Sequence, residues 1–279
     1  MRWFASLAAV ALCAACADPP PKPAELGPPV TTPVRFLLTF DDGPSTWEPY
    51  NPTRAILEQL QHNPVQPDIK GIFFVQTRDP RAGGGPAGQV LLHRIHAEGH
   101  VLGLHTGTAG GHIRHTRLSD AELAQSLHDG MADIEAITGA APTLLRPPSW
   151  RYDERTVAAY HAAGLHMLLT DINARDGKIY GWNMSLRRRS HFQAGLVRVR
   201  QAIAQGRLQP IDGVVPVIIT FHDVNTYTAG HMQEYLEILM EKAGVAGLPL
   251  ARLPFYNEGG EIQRVAEQRA KAGVYAGPP

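Results

Sequence analysis

Apolar runs of strand length alternate with segments of helical period along most of this chain. The runs are Val34 to Phe40, Ile69 to Gln76, Val101 to Leu104, Thr143 to Leu145, His166 to Thr170 and Val214 to Phe221. Between them the spacing of apolar positions predicts helices over Ala87 to Glu98, Ser119 to Gly139, Glu154 to Ala163, Gln193 to Ala204 and His231 to Lys242. This alternation is the pattern of an α/β fold with a mainly parallel sheet or barrel. One helix start is written out in Ser119-Asp120-Ala121-Glu122, where the serine and glutamate can satisfy free backbone N–H groups reciprocally, and Gly139 suits the stop. No repeat or internal linker divides these segments, so one domain is expected from Val34 to Tyr256. Residues 257–279 then read as a polar tail with a short helix from Glu261 to Ala272.

The first residues carry a different signal. Residues 1–17 combine Arg2, an apolar run from Trp3 to Leu12 and small residues from Cys13 to Ala17, the pattern of a secretion signal. The run falls short of the roughly 20 residues a helix needs to span a bilayer. Both cysteines, Cys13 and Cys16, lie here, which leaves the rest of the chain without a disulfide. Leu12-Cys13-Ala14-Ala15-Cys16 resembles the bacterial lipobox and makes Cys16 the expected lipidation site; Ala15-Cys16-Ala17 would also serve as an ordinary cleavage site. Residues 18–33 are dominated by proline and predict an extended, semi-rigid spacer. The expected location is the bacterial cell envelope, lipid-anchored in the membrane and facing the periplasm or cell surface, or otherwise secreted. With 26 basic and 26 acidic residues the formal charge is zero, and no nucleic-acid partner is expected.

Chemically capable residues stand at four strand ends. The first run stops at Asp41-Asp42-Gly43-Pro44. Adjacent carboxylates repel when both are ionised, which suggests that one binds a cation while the other stays free to take a proton. The run ending at Leu104 delivers His105, with His112 and His115 close behind. A carboxylate with two imidazoles suits zinc, whose catalytic sites use three protein ligands and leave a position for water. Leu144-Leu145 stops at Arg146-Pro147-Pro148, where proline pushes the preceding residue toward extended geometry. Arg146, held at a strand end, can orient a carboxylate by paired hydrogen bonds. Val217 to Phe221 delivers His222, and an imidazole with its ordinary pKa of about 6.5 suits proton donation. His93, His128 and His161 read as surface or helix residues.

Taken in order, these segments resemble the polysaccharide deacetylases of carbohydrate esterase family 4, which share the NodB homology domain. The family's opening motif, T-F-D-D-G, is intact at Thr39 to Gly43, its arginine motif stands at Arg146-Pro147-Pro148, and its late histidine motif at His222-Asp223. The resemblance runs from Val34 to Gly247. It implies a distorted (β/α) barrel with fewer than eight regular strands in a single catalytic domain. It also implies a metal-dependent hydrolase, zinc being the expected divalent metal, that removes N-acetyl groups from an acetylated amino-sugar polymer or oligomer.

Residue by residue, the resemblance makes Asp41 the general base, oriented by Arg146, and Asp42 and His105 metal ligands. It makes the Ser149 N–H the oxyanion donor, with Trp150 beside it at the substrate, and His222 the acid. The family's second histidine lies four residues after the first, where this chain has Ala109. Counting back from Leu118-Ser119 assigns the third ligand to His112 after a three-residue insertion, with His115 the poorer choice. The fourth family motif ends in Asp-Trp; here Asp176 is followed by Gly177, and either Asp171 or Asp176 is expected to support His222. The insertion from Lys178 to Phe192, with Tyr180, Trp182 and Arg187 to Arg189, reads either as a solvated loop or as a sugar-binding rim. Two rival functions stay open: an O-acetyl polysaccharide esterase, and a lipid-anchored carbohydrate-binding protein that kept the fold without catalysis.

Overall fold

Each of the six apolar runs becomes a strand of one parallel sheet. The computed structural model describes residues 28–176 and 188–276; Cys16, most of the proline-rich spacer, and Gly177 with the insertion up to Arg187 lie outside the described residues. The strands are β1 (Val34–Asp41), β2 (Gly71–Gln76), β3 (Val101–Thr106), β4 (Leu144–Leu145), β5 (His166–Met167), β6 (Ile172–Asn173), β7 (Val215–His222) and β8 (Leu250–Phe255). Helices α1 (Pro52–Gln61), α2 (Pro86–Ala97), α3 (Asp120–Thr138), α4 (Glu154–Ala162), α5 (Arg188–Ala204), α6 (Thr226–Val245) and α7 (Gly259–Ala272) come between and after them. The order across the sheet is β5-β4-β3-β2-β1-β7-β6, and β8 pairs with the start of β1. Strands β4, β5 and β6 are two residues long, and no ladder joins β5 to β6 among the described residues. The result is a curled half-barrel with helices, the form that the expected distorted (β/α) barrel with fewer than eight regular strands takes here.

Alternation along β1 lets one strand serve two cores and a site. Phe36, Leu38 and Phe40 join the large core that includes helix residues such as Ile56, Leu60 and Leu236. Leu37 points the other way, into a second core with Ile72, Phe74, Leu144, Leu168 and Ile218. Thr39 and Asp41 share the face of Leu37, because strand side chains repeat every second residue. Parallel register then gathers the strand ends. Asp41 pairs with Phe74 on one side and His222 on the other, and Leu104 pairs with Leu145, so His105 and Arg146 follow side by side. These are the C-terminal ends of the strands, where barrels of this kind place their chemistry.

The local signals also take effect. Ser119 and Glu122 form both halves of a capping box at α3, and Gly139 ends it in the left-handed region at φ 79°. Three elements were not foreseen. Helix α1 opens with Asn51, whose side chain accepts from the Arg54 N–H, followed by Pro52, a start signal that stands in the sequence. Strand β8 is broken by Pro254, and much of it is exposed at the start of β1, so it shows no clean alternation. Strand β6 is too short to show any.

The largest difference lies at the C-terminus. The segment read as a polar tail packs against the second core through Ile262, Val265 and Ala266 of α7. From the same helix, Arg269 Nη2 reaches buried Asp171 at 2.9 Å, and the Ala276 N–H donates to that carboxylate at 2.9 Å. Removing one partner of such a buried pair strands the other charge and costs about 3–5 kcal/mol. Three small or branched apolar residues among many charges carry this contact, which is why composition hides it.

Candidate active site

Asp41 reaches the site at the last position of β1. Arg146 Nη1 donates to Asp41 Oδ1 at 2.8 Å and to Thr39 Oγ1 at 2.7 Å. Arg146 Nε and Nη2 donate to the carbonyls of Leu168 and Leu169 at 2.9 and 3.0 Å. The guanidinium lies over the rings of Phe74 and Trp150, 4.3 and 4.8 Å from their centroids. Although fully buried, it stays cationic, because a guanidinium titrates far above neutrality. The other oxygen of Asp41, Oδ2, is buried and has no hydrogen-bond partner. A carboxylate clamped on one oxygen and open on the other is arranged to accept a proton at the open one.

Asp42, one residue on, leaves the strand with φ 76°, and Gln76 Nε2 donates to its carbonyl at 2.6 Å. This turn sends the second carboxylate toward the histidines. Asp42 Oδ1 stands 3.1 Å from both His105 Nε2 and His112 Nε2. The ligand atoms of Asp42, His105 and His112 all lie within 4.8 Å of one another. Asp42 Oδ1 and His105 Nε2 are buried yet make no well-formed hydrogen bond. Leaving such atoms unsatisfied costs about 1–3 kcal/mol each, a cost that a cation between them removes. His105 Nδ1 lies 2.8 Å from the Arg146 carbonyl, which can only accept, so the proton sits on Nδ1 and the Nε2 lone pair faces the cluster. Burial pushes the Asp42 carboxyl upward, but the two imidazoles overrule it and hold it well below the usual carboxylate range. In turn, burial lowers His112 and the neighbouring Asp42 raises it, with a net rise. The donor set, two imidazoles and one carboxylate, therefore fits a divalent cation.

Gly43 follows because nothing larger fits. A Cβ there would fall 2.0 Å from Asp223 Oδ2. Asp223 received no role from its sequence position beyond following His222. It is a buried carboxyl whose Oδ2 accepts from Thr53 Oγ1 at 2.7 Å, and burial pushes it up to about 7 against that hydrogen bond. Ser149 and Trp150 both adopt left-handed backbone, at φ 57° and 56°. Such residues cost about 1–3 kcal/mol each and persist only where surrounding structure enforces them. Here the strain brings the Ser149 N–H to 3.2 Å from His112 Nε2, at the edge of the donor cluster.

His222 closes the site from β7. Asp176 accepts from its Nδ1 at 2.8 Å and from its backbone N–H at 2.9 Å, and is itself held by Thr228 Oγ1 at 2.5 Å. Asp171 does not join this group: its carboxylate is taken by Arg269, Ala276 and the Ile218 N–H, so its place is in the C-terminal packing. His115 is also set apart, buried with Nδ1 2.9 Å from the Tyr160 hydroxyl and lowered by burial to about 3. For His222, burial pulls the pKa down, but the charge and hydrogen bond of Asp176, aided by Asp42 and Asp41, raise it to about 10. A group acting as a proton donor stops working as pH rises through its pKa. Replacing Asp176 by Asn removes the main upward influence, so the alkaline limb of a kcat/KM profile is expected to move to lower pH. An unmoved limb would separate Asp176 from that step.

Residues 30–168 match the polysaccharide deacetylase family. It is similar to a chitin deacetylase of Pestalotiopsis sp, 26% identical over 68% of this chain and 63% of that protein. It is also similar to a chitin deacetylase of Colletotrichum lindemuthianum, 28% identical over 52% of this chain and 54% of that one. A peptidoglycan-N-acetylglucosamine deacetylase of Listeria monocytogenes is 25% identical over 75% of this chain and 36% of its own length. The chain thus spans less than two thirds of the length of these curated relatives. Among solved structures, the Colletotrichum lindemuthianum chitin deacetylase superimposes with a TM-score of 0.59 at 21% identity, covering 90% of this chain and 95% of that one. A family 4 carbohydrate esterase from Streptomyces lividans gives a TM-score of 0.52 at 22% identity, covering 75% and 89%. At these identities the superpositions establish the fold.

Proposed function

We propose that this chain is a metal-dependent carbohydrate deacetylase acting on carbon–nitrogen bonds, removing N-acetyl groups from an N-acetylhexosamine-containing polysaccharide or oligosaccharide. The observation that carries this reading is the division of the aspartate pair: Asp42 faces two imidazoles, while Asp41 is clamped by a buried arginine and keeps one oxygen open. Asp42, His105 and His112 would hold the cation, zinc by their donor chemistry, and when bound it supplies Lewis acidity toward water and the acetyl carbonyl. Asp41 Oδ2 takes the proton of the attacking water. The Ser149 N–H, at the edge of the cluster, stabilises the oxyanion that develops on the carbonyl oxygen. His222 protonates the departing amine, with Asp176 fixing its ring through Nδ1.

The family match and the similarity to chitin and peptidoglycan deacetylases support an acetylated amino-sugar polymer as substrate. Trp47 and Tyr50 follow β1 at the same end of the barrel and are 68% and 82% exposed, offering apolar faces on which sugar rings can rest. Among the described residues no helix is long and apolar enough to cross a membrane. Lipid attachment at Cys16, with the proline-rich spacer holding the domain off the membrane, is supported by the sequence of residues 12–33.

Acetate release by zinc-loaded protein tests the reading. Release from N-acetylglucosamine oligomers but not from acetylated xylan is expected. Release from xylan alone would assign an O-acetyl esterase, and bound metal with no acetate from any polymer would assign a binding protein.

A further inference from the structure

We propose that Tyr275 is a positioning residue for Asp41, acting through the Leu168–Leu169 peptide and Arg146. The inference rests on the proposed role of Asp41 as base and extends that site to the C-terminal segment.

The connection is a continuous line of hydrogen bonds. Arg146 Nη1 holds Asp41 Oδ1 at 2.8 Å, and Arg146 Nε donates to the Leu168 carbonyl at 2.9 Å. The nitrogen of that same peptide unit, Leu169 N, donates to the Tyr275 hydroxyl at 3.0 Å. One rigid, planar amide therefore receives the guanidinium on its C=O side and rests on the phenol on its N–H side. Hydrogen bonds in such a series polarise and strengthen one another. The next carbonyl, Leu169 O, accepts from Arg146 Nη2 at 3.0 Å, so two of the three guanidinium nitrogens depend on this short segment.

The segment needs that support because of where it lies. Leu168 N still donates to Leu145 O of β4, and Asp171 N already donates to Ile218 O of β7. Between them the chain crosses the gap in the sheet, and the Leu169 N–H, in a residue only 8% exposed, has no strand beside it to accept. Tyr275 supplies the acceptor that a strand would have provided. Its own position is set by the buried Asp171–Arg269 pair: Ala276 N donates to Asp171 Oδ1 at 2.9 Å, Arg269 Nη2 donates to Val274 O at 2.9 Å, and the Arg269 guanidinium lies 5.6 Å from the Tyr275 ring centroid. Asp171, one of the two carboxylates that the sequence offers to His222, thus anchors the strut behind Arg146.

Tyr275→Phe removes only the hydroxyl. Wild type, this variant and Val265→Ala, which trims the second core and leaves the Tyr275 hydroxyl in place, are compared for acetate release from N-acetylglucosamine oligomers well below their melting temperatures. The Arg146 Nε–H resonance is followed in parallel, identified by its loss in Arg146→Lys. Tyr275→Phe is expected to lower kcat on the order of tenfold with KM unchanged, because small misplacements of a reacting group are costly, and to shift the Nε–H resonance. Val265→Ala is expected to lower Tm and leave kcat as it was. With an active wild type, an unchanged kcat in Tyr275→Phe, or an equal fall in Val265→Ala, overturns the inference. If the wild type releases no acetate, the proposed activity fails, and the resonance decides the link: a shift upholds the coupling to Arg146, and none overturns it.

Discussion

Asp41→Asn is expected to keep its metal and lose turnover by about 10²- to 10⁴-fold, the range for removing a positioned general base. The substitution is nearly isosteric, and the Asn carbonyl oxygen can still accept from Arg146 Nη1 where Asp41 Oδ1 does now. What disappears is the basic Oδ2, the atom left buried and unpartnered on the side away from the arginine. Asp42 is a separate side chain, turned away by its left-handed backbone, so the ligand cluster stays intact. Metal content by elemental analysis and kcat on N-acetylglucosamine oligomers check both halves. Substantial residual turnover would move the base to another residue, and loss of metal would mean that the two aspartates do not divide the work.

His112→Ala is expected to do the reverse and lose the metal itself. His112 is one of three residues whose ligand atoms converge, and it is the least buried of them. Even outer partners of a metal ligand are worth 10- to 100-fold in affinity, so removing a ligand outright should weaken zinc by at least about 100-fold. Titration calorimetry with zinc alone reads this without any substrate. An unchanged affinity would remove His112 from the ligand set. His115→Ala serves as the contrast: its ring is buried against Tyr160, so it should lower stability and leave zinc affinity intact.

The residues these experiments touch were legible to different degrees. Asp41, Arg146 and His222 could be picked out because each ends an apolar run abruptly, and a strand end is a local feature with a fixed geometric meaning. The parallel register then had little freedom, since slipping β1 by one residue would turn Phe36, Leu38 and Phe40 away from the large core and put Thr39 and Asp41 into it. The choice between His112 and His115 was less secure. The three-residue insertion within Thr106 to Gly111 removes the usual spacing, and the folded loop, with Thr108 Oγ1 donating to Gly111 O at 2.8 Å and Gly111 at φ 74°, returns the His112 ring to Asp42.

Asp171 and Asp176 mark where local reasoning ended. Both are buried carboxylates in one short stretch after β5, chemically identical and both far from His222 along the chain. Asp176 meets His222 at the rim, whereas Asp171 meets Arg269, which lies 98 residues further along. The packing of the C-terminal helix is hidden for the same reason, since the value of Ile262, Val265 and Arg269 depends on a sheet surface formed by strands far away in sequence.

By itself, then, the sequence determined the alternation of strands and helices, the helix caps and the aspartate pair at the end of β1, because these depend on neighbours within a few residues. Tertiary structure alone decided which aspartate lies against His222 and where the C-terminal segment packs, and it brings His112, the ring that the sequence spacing favours, to Asp42. Those choices turn on which buried charges and unpaired N–H groups meet across the barrel, and a buried polar group is stable only beside the partner that folding brings to it.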